Sequence, residues 1–428
     1  MSYRFFIHYI TRWGENLQVV MHDASSTVVP MHHVGGGRWE SVVCEPEALA
    51  ASYHYRVILS GSVEREEARG HMMPLAEAHC VHVVDRWLDK PDEGITVSMR
   101  QWLSYMRPKL QAGNVIFNAV TPPLRPGLSL ALCGSLPPLG SWNPSRALIM
   151  QRLGSTLWTL NLPLKSGTSL SFEYKFVVID NHGGEPVGWE NSSNRCITVT
   201  STGDSDLSVV GCEVTALPLT ATCPASDVVI PLYALRSADD YGCGDIGDLR
   251  KLMNWARRVH RPMLEVRGLA HHRGYERAID PCYLALSLMP QPDSALERRR
   301  FKASLMELDG SSTVDFDEVR RLKLEWARLS MLTVEGKRLI HSRMFRRFVA
   351  QEASWLQGYT TMLSLRSRTL AAYIQFVLRR QLQTMVDYAV EHDLLLMVGS
   401  APLVPEQPRR MARSLEEHLA SRLPHIEL

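Results

Sequence analysis

Apolar and polar positions alternate with a period of two through the first half of the chain, then shift to a helical period in the second. Short alternating runs such as "RWESVVCE", "YHYRVILS", "VIFNAV", "LSLALCG", "LWTLNLPL" and "FEYKFVVI" recur up to about residue 210, parted by Gly, Pro, Asn and Ser clusters. A period of two puts successive side chains on opposite faces of a strand, so each run predicts one buried face and one open face. In "FEYKFVVI", Phe172, Tyr174 and Phe176 share a face, and Tyr174 and Trp158 read as core. Short strands at this spacing predict all-β, immunoglobulin-like sandwiches, and the length predicts two. A weak internal repeat agrees: "GGGRWESVVC" then "SYHYRVILS" is echoed by "GSTLWTLNL" then "SFEYKFVVI".

Beyond residue 226 the texture changes. "DVVIPLYAL", "PMLEVRGLA" and "LLLMVGSAPLV" read as apolar strands. "GDIGDLRKLMNWARRVH" places Ile246, Leu249, Leu252, Met253 and Trp255 at helical spacing, and longer helical patterns follow before the third strand. Strand, helix, strand, helices, strand predicts βα units on a parallel sheet. A full (β/α)₈ barrel takes eight strands and about 250 residues, so this is an incomplete TIM-barrel segment rich in α-helix. The expected domains are a sandwich at 1–84, a charged linker at 85–110, a sandwich at 111–204, a linker at 205–226 rich in Ser, Thr, Pro and Ala, and the barrel segment at 227–428.

Composition narrows the partners. The 428 residues carry 47 Lys and Arg against 45 Asp and Glu, a formal charge of +2, so nothing calls for nucleic acid. No apolar run approaches the length of about 18 residues that a transmembrane helix needs, so no membrane partner is expected. "MSYRFFIHYITRWGE" at the N-terminus reads as a strand and not as a signal peptide. Eight cysteines lie singly, with no CxxC pair, which fits free thiols in a reducing cytoplasm. The pairs His32-His33 and His271-His272 lack spaced Cys or carboxylate partners, so neither a metal nor a cofactor is expected.

Two tryptophans stand outside the alternation: Trp142 on the Pro/Gly-rich loop "LCGSLPPLGSWNPSRALIM" (132–150), and Trp189 in "GWENSSNR". Such residues either close the edge of a core or offer an aromatic face to a ligand. A sugar ring has an apolar C–H face that an aromatic ring covers and a rim of hydroxyls that charged and amide groups bond. Residues 115–200 resemble the starch-binding modules of carbohydrate-binding module family 20. The resemblance implies that Trp142 and Trp189 stack on adjacent glucose rings while Lys175, Glu190 and Asn194 bond the hydroxyls. The implied partner is an α-glucan: starch, glycogen or maltodextrin.

The first sandwich resembles the same module in the two-module form found in certain cytosolic glucanotransferases. "HDASSTVVPMHH" stands where the "GSW" loop would be, and "VEREEARGHMMPL" lacks a Trp. It is expected to be structural or weakly binding, with Trp13 and Trp39 packed in its core.

"IPLYALRSADDYGCGDIGDLRKLMNWAR" (230–257) resembles the opening of the disproportionating 4-α-glucanotransferases, glycoside hydrolase family 77. Leu235, Arg236, Ser237, Gly242, Gly244, Asp245, Asp248, Leu249 and Trp255 fit that opening. "IDPCYLALSLMP" (279–290) resembles the family's donor-site loop, which implies a donor-side role for Tyr283 and Ser287. Departures accompany the match: "LEVRGLAHHRG" replaces a polar strand end, and Ser400 stands where the family has Asp. The family's nucleophile Asp follows an "RxDH" pattern that occurs nowhere in these residues.

Retaining transglycosylation uses two carboxylates about 5 Å apart. Asp245 and Asp280 lie in turn-like stretches and read as capping residues. The expectation is therefore no catalytic residue and no transferase activity in this chain, either as a piece of a longer protein or as the product of a decayed gene. The alternative is a non-catalytic glucan-binding scaffold. Three parallel strands leave an open edge, to be covered by the tail "PRRMARSLEEHLASRL" or by a partner chain.

Overall fold

The structure is a computed structural model and describes residues 2–22, 26–45, 52–67, 70–74, 78, 80–87, 114–163, 169–200, 207–214, 216–223, 228–237, 241–269, 278–309, 313–363 and 367–398. These fall into two compact units, one carrying the described residues up to 223 and the other those from 228 onward. The protein is multidomain, β-rich in its first unit and helical in its second. His271, His272, Ser400, residues 88–113 and the tail 408–423 lie outside the described residues.

The first module contains β1 (Ser2–His8), β2 (Glu15–Met21), β3 (Val28–Gly35), β4 (Arg38–Ser41), β5 (Ser52–Leu59), β6 (Ser62–Glu66), β7 (His71–Met72) and β8 (Cys80–Arg86). The second contains β9 (Asn114–Val120), β10 (Leu128–Gly134), β11 (Leu148–Ile149), β12 (Gln151–Arg152), β13 (Leu157–Pro163), β14 (Ser169–Asp180), β15 (Pro186–Trp189), β16 (Arg195–Thr200) and β17 (Leu207–Glu213). Each module has its own core. Phe5, Leu17, Val19, Trp39, Tyr53 and Tyr55 fill the first. Phe117, Leu132, Trp158, Phe172, Tyr174 and Phe176 fill the second. The alternation read from the sequence sends these side chains inward, and Trp158 and Tyr174 are buried as expected.

Two expectations need correction. Residues 207–213 are not linker but the strand β17, which pairs in parallel with both β9 and β8. Its burial is nearly continuous, as befits a strand with neighbours on both edges, so it lacks the period-two signature that marks a half-open strand. Trp13, expected in the first core, is fully exposed at 101%. It precedes Gly14, whose φ of 87° turns the chain between β1 and β2, so it lies outside the alternation.

The parallel pairs give the first unit its architecture. In each module the first and last strands run side by side, β1 with β8 and β9 with β17. The two last strands then pair with each other, β8 with β17. A continuous twelve-stranded sheet results, in the order β12-β13-β9-β17-β8-β1-β4-β3-β2-β5-β6 with β7 beside β5. Joining two strands that would otherwise present open edges removes both from solvent. A separate five-stranded sheet, β11-β10-β14-β15 with β16 beside β14, forms the other layer of the second module.

In the second unit β18 (Val228–Pro231), β19 (Met263–Arg267) and β20 (Leu395–Val398) make a parallel sheet in sequence order. Helix α1 (Asp248–Arg258) links the first two and buries Leu249, Leu252, Met253, Trp255 and Ala256 on one face. Between β19 and β20 run α2 (Ala295–Asp309), α3 (Phe316–Leu332), α4 (Val334–Ile340), α5 (Arg343–Gln351), α6 (Ala353–Met362) and α7 (Arg368–Glu391). The Ser367 hydroxyl starts α7 by accepting the Leu370 N–H. From Leu370 to Arg379 every residue of α7 is buried, so it is a central helix covered on all sides.

Candidate functional site

The loop that follows β10 is fixed by its own backbone. Gly140 has a φ of 82°, and a Cβ there would lie 2.8 Å from the Asn143 carbonyl oxygen and 2.9 Å from that of Arg146, so only glycine fits. Ser141 and Trp142 continue in the left-handed region at φ 48° and 65°. The Trp142 N–H donates to the Gly134 oxygen at 2.9 Å, and the Asn143 N–H to the Gly140 oxygen at 2.9 Å. Asn143 then caps the short turn Pro144–Arg146 by accepting the Ser145 N–H. These bonds hold the Trp142 indole half-buried on the outside of the sheet.

Strand β14 supplies the floor. Phe172, Tyr174, Phe176 and Val178 point into the core, which puts Glu173, Lys175, Val177 and Ile179 on the other face. Val177 and Ile179 form a small second cluster with Ala131 and Cys133, and Ala147 and Trp189 pack against it. Trp189 lies opposite Val177 in the β14–β15 pair, and Lys175 lies opposite Cys133 in the β10–β14 pair. The Trp142 and Trp189 ring centroids are 6.5 Å apart with planes inclined at 45°. Lys175 is half-buried, and its ammonium meets no hydrogen-bond or ion-pair partner among the described residues. Asn194 is exposed, and its amide donates to Glu173 Oε2 at 3.2 Å. Four of the five residues singled out for sugar contact thus share one outer face.

Glu190 does not join them. It is 1% exposed, and its Oε1 accepts the Phe176 N–H at 2.9 Å and the Arg195 Nε–H at 3.1 Å. Its Oε2 accepts Arg195 Nη2–H at 2.8 Å. Arg195 Nη2 also donates to the Glu213 carbonyl at 2.9 Å, and the guanidinium lies 5.2 Å from the centre of the Phe176 ring. Burial works against the Arg195 charge, but the bonds from Glu190 outweigh it and hold its pKa above the usual value. The expectation of a hydroxyl-binding Glu190 is therefore corrected. Trp189 faces outward at the end of β15, so the next side chain faces inward. The period of two already carried that signal, and Arg195 in "NR" was the partner it required.

The second unit offers no comparable surface at the expected loop. Tyr283 is buried, and burial pushes its phenol pKa far up, while Ser287 is exposed. The structure does not bring the two together as a donor-side surface. Instead the loop is clamped to α7. The Gln375 amide accepts the Ile279 N–H at 3.0 Å and donates to its carbonyl at 2.8 Å. Gln381 does the same for Ala285, at 3.1 and 2.9 Å.

Asp280 accepts the Cys282 N–H at 2.9 Å and bonds Arg320 Nε through both oxygens. Asp245 accepts the Gly247 N–H at 2.9 Å and lies 3.4 Å from Nζ of Lys323, which is fully buried and also donates to the Cys282 and Leu284 carbonyls. Burial raises the Asp245 pKa to about 7, with Lys323 acting in the opposite direction. Both carboxylates are committed to holding turns. Among the described residues no group of three or more His, Cys, Asp or Glu is placed to hold a metal.

One chain thus joins a β-sandwich module that carries an aromatic pair on its outer face to a helix-rich parallel βα unit. Residues 113–209 match the family model of the starch binding domain, and residues 230–372 match that of 4-alpha-glucanotransferase. The 4-alpha-glucanotransferase DPE2 of Oryza sativa subsp. japonica is 20% identical over 406 residues, covering 85% of this chain and 42% of that protein. An alpha-amylase of Streptomyces violaceus is 36% identical over 77 residues, 18% of this chain and 13% of that protein. Among solved structures, amylomaltase from Corynebacterium glutamicum covers 71% of this chain and 46% of its own, at 14% identity and a TM-score of 0.35. The chain spans less than half the length of the curated glucanotransferases from rice and Chlamydia pneumoniae that it matches.

Proposed function

We propose that this chain binds α-1,4-glucans (starch, glycogen or maltodextrin) on the outer face of the second sandwich, with Trp142 and Trp189 against successive glucose rings and Lys175 and Asn194 on the hydroxyls. The observation that carries this is the Trp142–Trp189 pair, 6.5 Å apart and inclined at 45°, beside an ammonium without a partner among the described residues. An α-1,4-linked chain curves from ring to ring, so inclined rings suit it better than coplanar ones. The first module is a second immunoglobulin-like sandwich that supports the platform and binds weakly at most. The sheet β18-β19-β20 is the opening of a TIM barrel, with β18 and β20 as edges where a partner chain can pair. The setting is cytoplasmic.

Affinity electrophoresis of the purified chain in gels containing soluble starch tests the platform. Retardation that disappears in Trp142→Ala and Trp189→Ala, with unchanged circular dichroism, is the expected result. Equal mobility of the wild type with and without starch would reject it.

The match of residues 230–372 supports a second reading, glucanosyl transfer. Asp245 and Asp280 are both committed to turns, which favours binding without turnover by this chain alone. Incubation with maltose and glycogen is expected to release no glucose above background. Sustained release would overturn the non-catalytic assignment and leave the platform standing.

A further inference from the structure

The turn between β15 and β16 is flanked by Trp189 and Asn194, the two outward side chains proposed to meet sugar, and each is the sequence neighbour of one member of the Glu190–Arg195 ion pair. Trp189 precedes Glu190, and Asn194 precedes Arg195. Residues 191–194 are all exposed, so no core packing fixes their path. The backbone of the turn is tied by the Glu190 N–H to the Phe176 oxygen and by the Asn191 N–H to the Ala216 oxygen. Among the described residues no backbone bond of this kind holds Ser192, Ser193 or Asn194. At the far end Arg195 pairs with Tyr174 in the β14–β16 ladder and the Asn194 amide bonds Glu173 Oε2, and the Glu190–Arg195 pair joins the two ends of the turn directly.

We propose that the Glu190–Arg195 pair is a positioning brace that sets the angle of Trp189 and the reach of Asn194 without itself touching sugar. The inference rests on the platform reading above and extends it to the residues behind the platform. Three features carry it. The pair spans the whole turn and is two-pronged, because Arg195 Nε reaches both carboxylate oxygens while Nη2 bonds Oε2, which fixes orientation as well as distance. Each member is also tied to a different strand: Glu190 to the Phe176 N–H in β14, and Arg195 to the Glu213 carbonyl at the end of β17. The turn is thereby referenced both to the sheet that carries Lys175 and to the opposite layer. Finally, Glu190 is a buried carboxylate paired with a partly exposed guanidinium, and placing a charge there is a costly way to fill space. A pair with this bonding is better suited to fixing one geometry, and a binding face held in its bound form loses less freedom when the ligand arrives.

The test measures β-cyclodextrin affinity of the full chain by calorimetry, together with the indole N–H resonances of Trp142, Trp189 and the core Trp158. Glu190→Gln keeps the shape and the Phe176 contact but removes the charge. Arg195→Lys keeps the charge but removes the second prong. Each is expected to weaken binding about tenfold, to shift the Trp189 resonance in the free protein and to leave Trp158 in place. Arg195→Lys is expected to retain more affinity than Arg195→Gln. Unchanged affinity in a folded variant would overturn the brace while the Trp142→Ala and Trp189→Ala results still decide the platform.

A wild-type measurement needs no variant to fold. The Arg195 Nε–H resonance is expected to exchange slowly in the free chain and to stay put when β-cyclodextrin is added. Fast exchange, or a signal that forms only with sugar, would overturn the brace as well.

Discussion

Trp142 occupies a backbone region that costs a bulky residue on the order of 1–3 kcal/mol, and it does so half-buried on the outside of a sheet. Strain of this kind separates the two readings of the residue. A tryptophan that closed a core would lose about 3–5 kcal/mol on truncation. A platform tryptophan held at positive φ should instead tolerate glycine, which relieves the backbone. Trp142→Gly is therefore expected to leave the urea midpoint unchanged or slightly raised, and to weaken maltoheptaose binding by at least about tenfold, roughly 1.4 kcal/mol. A marked loss of stability would return Trp142 to the core.

Asp245 links stability to pH. Its folded pKa of about 7 lies above the model-peptide 3.8, so between those values the folded state holds a proton that the unfolded state has released. Stability from this group is present at low pH and falls as pH rises towards 7, by no more than about 4 kcal/mol. The difference in urea stability between Asp245→Asn and wild type should grow in favour of the variant from pH 5 to pH 7.5. A difference independent of pH would show that Lys323 keeps the carboxylate ionised throughout.

Helix α7 shows what an element conceals. Its pattern, "TLAAYIQFVLRRQLQTMVDYAVEHD", announces a long helix, and the structure has one over Arg368–Glu391. Gln375 and Gln381 are polar residues within that pattern, six apart and so about 120° apart around the helix. Both are buried, and each clamps the backbone of a residue 96 positions earlier, one amide per loop residue. The need for those amides arises in the loop, where the buried Ile279 N–H and C=O and the Ala285 N–H are met by these side chains, while the Ala285 carbonyl also accepts the Leu288 N–H. Gln375→Leu keeps the volume and leaves both Ile279 groups unpaired. It is expected to destabilise the second unit by about 2–4 kcal/mol, read as a lower urea midpoint with glucan binding unchanged. A midpoint within about 0.5 kcal/mol of wild type would mean that water replaces the amide.

Strand β14 is the opposite case. Its alternation assigned Phe172, Tyr174 and Phe176 to the core and implied that Lys175 lies on the other face, but it did not show that Val177 and Ile179 are buried on that face too. What could be read depended on whether the cause of a conformation was local. Period and turn chemistry are local, and they located the second sandwich and the loop of Trp142. The inward turn of Glu190, the exposure of Trp13 and the glutamine clamps each depend on a partner or a bend that the neighbouring residues do not specify.

For the first unit as a whole, the pairing of β8 with β17 makes one cooperative body of two modules that the sequence presents as separate. Val83 is central to this, since it lies opposite Phe5 in β1 on one side and Val209 in β17 on the other. A proline there removes an N–H from the middle of a sheet, where it has no tolerated place. Were the modules independent, Val83→Pro would unfold the first and leave the second sandwich melting and binding starch as before. With a shared sheet, the loss of β8 exposes the edge of β17, and β17 carries the Glu213 carbonyl that anchors Arg195 beneath the β15–β16 turn. Val83→Pro is therefore expected to raise hydrogen exchange in β17 as well as β1, to lower the melting temperature of both modules together and to weaken starch retardation in gels. A variant that loses protection in β1 but keeps both β17 protection and full retardation would show that the modules are merely adjacent.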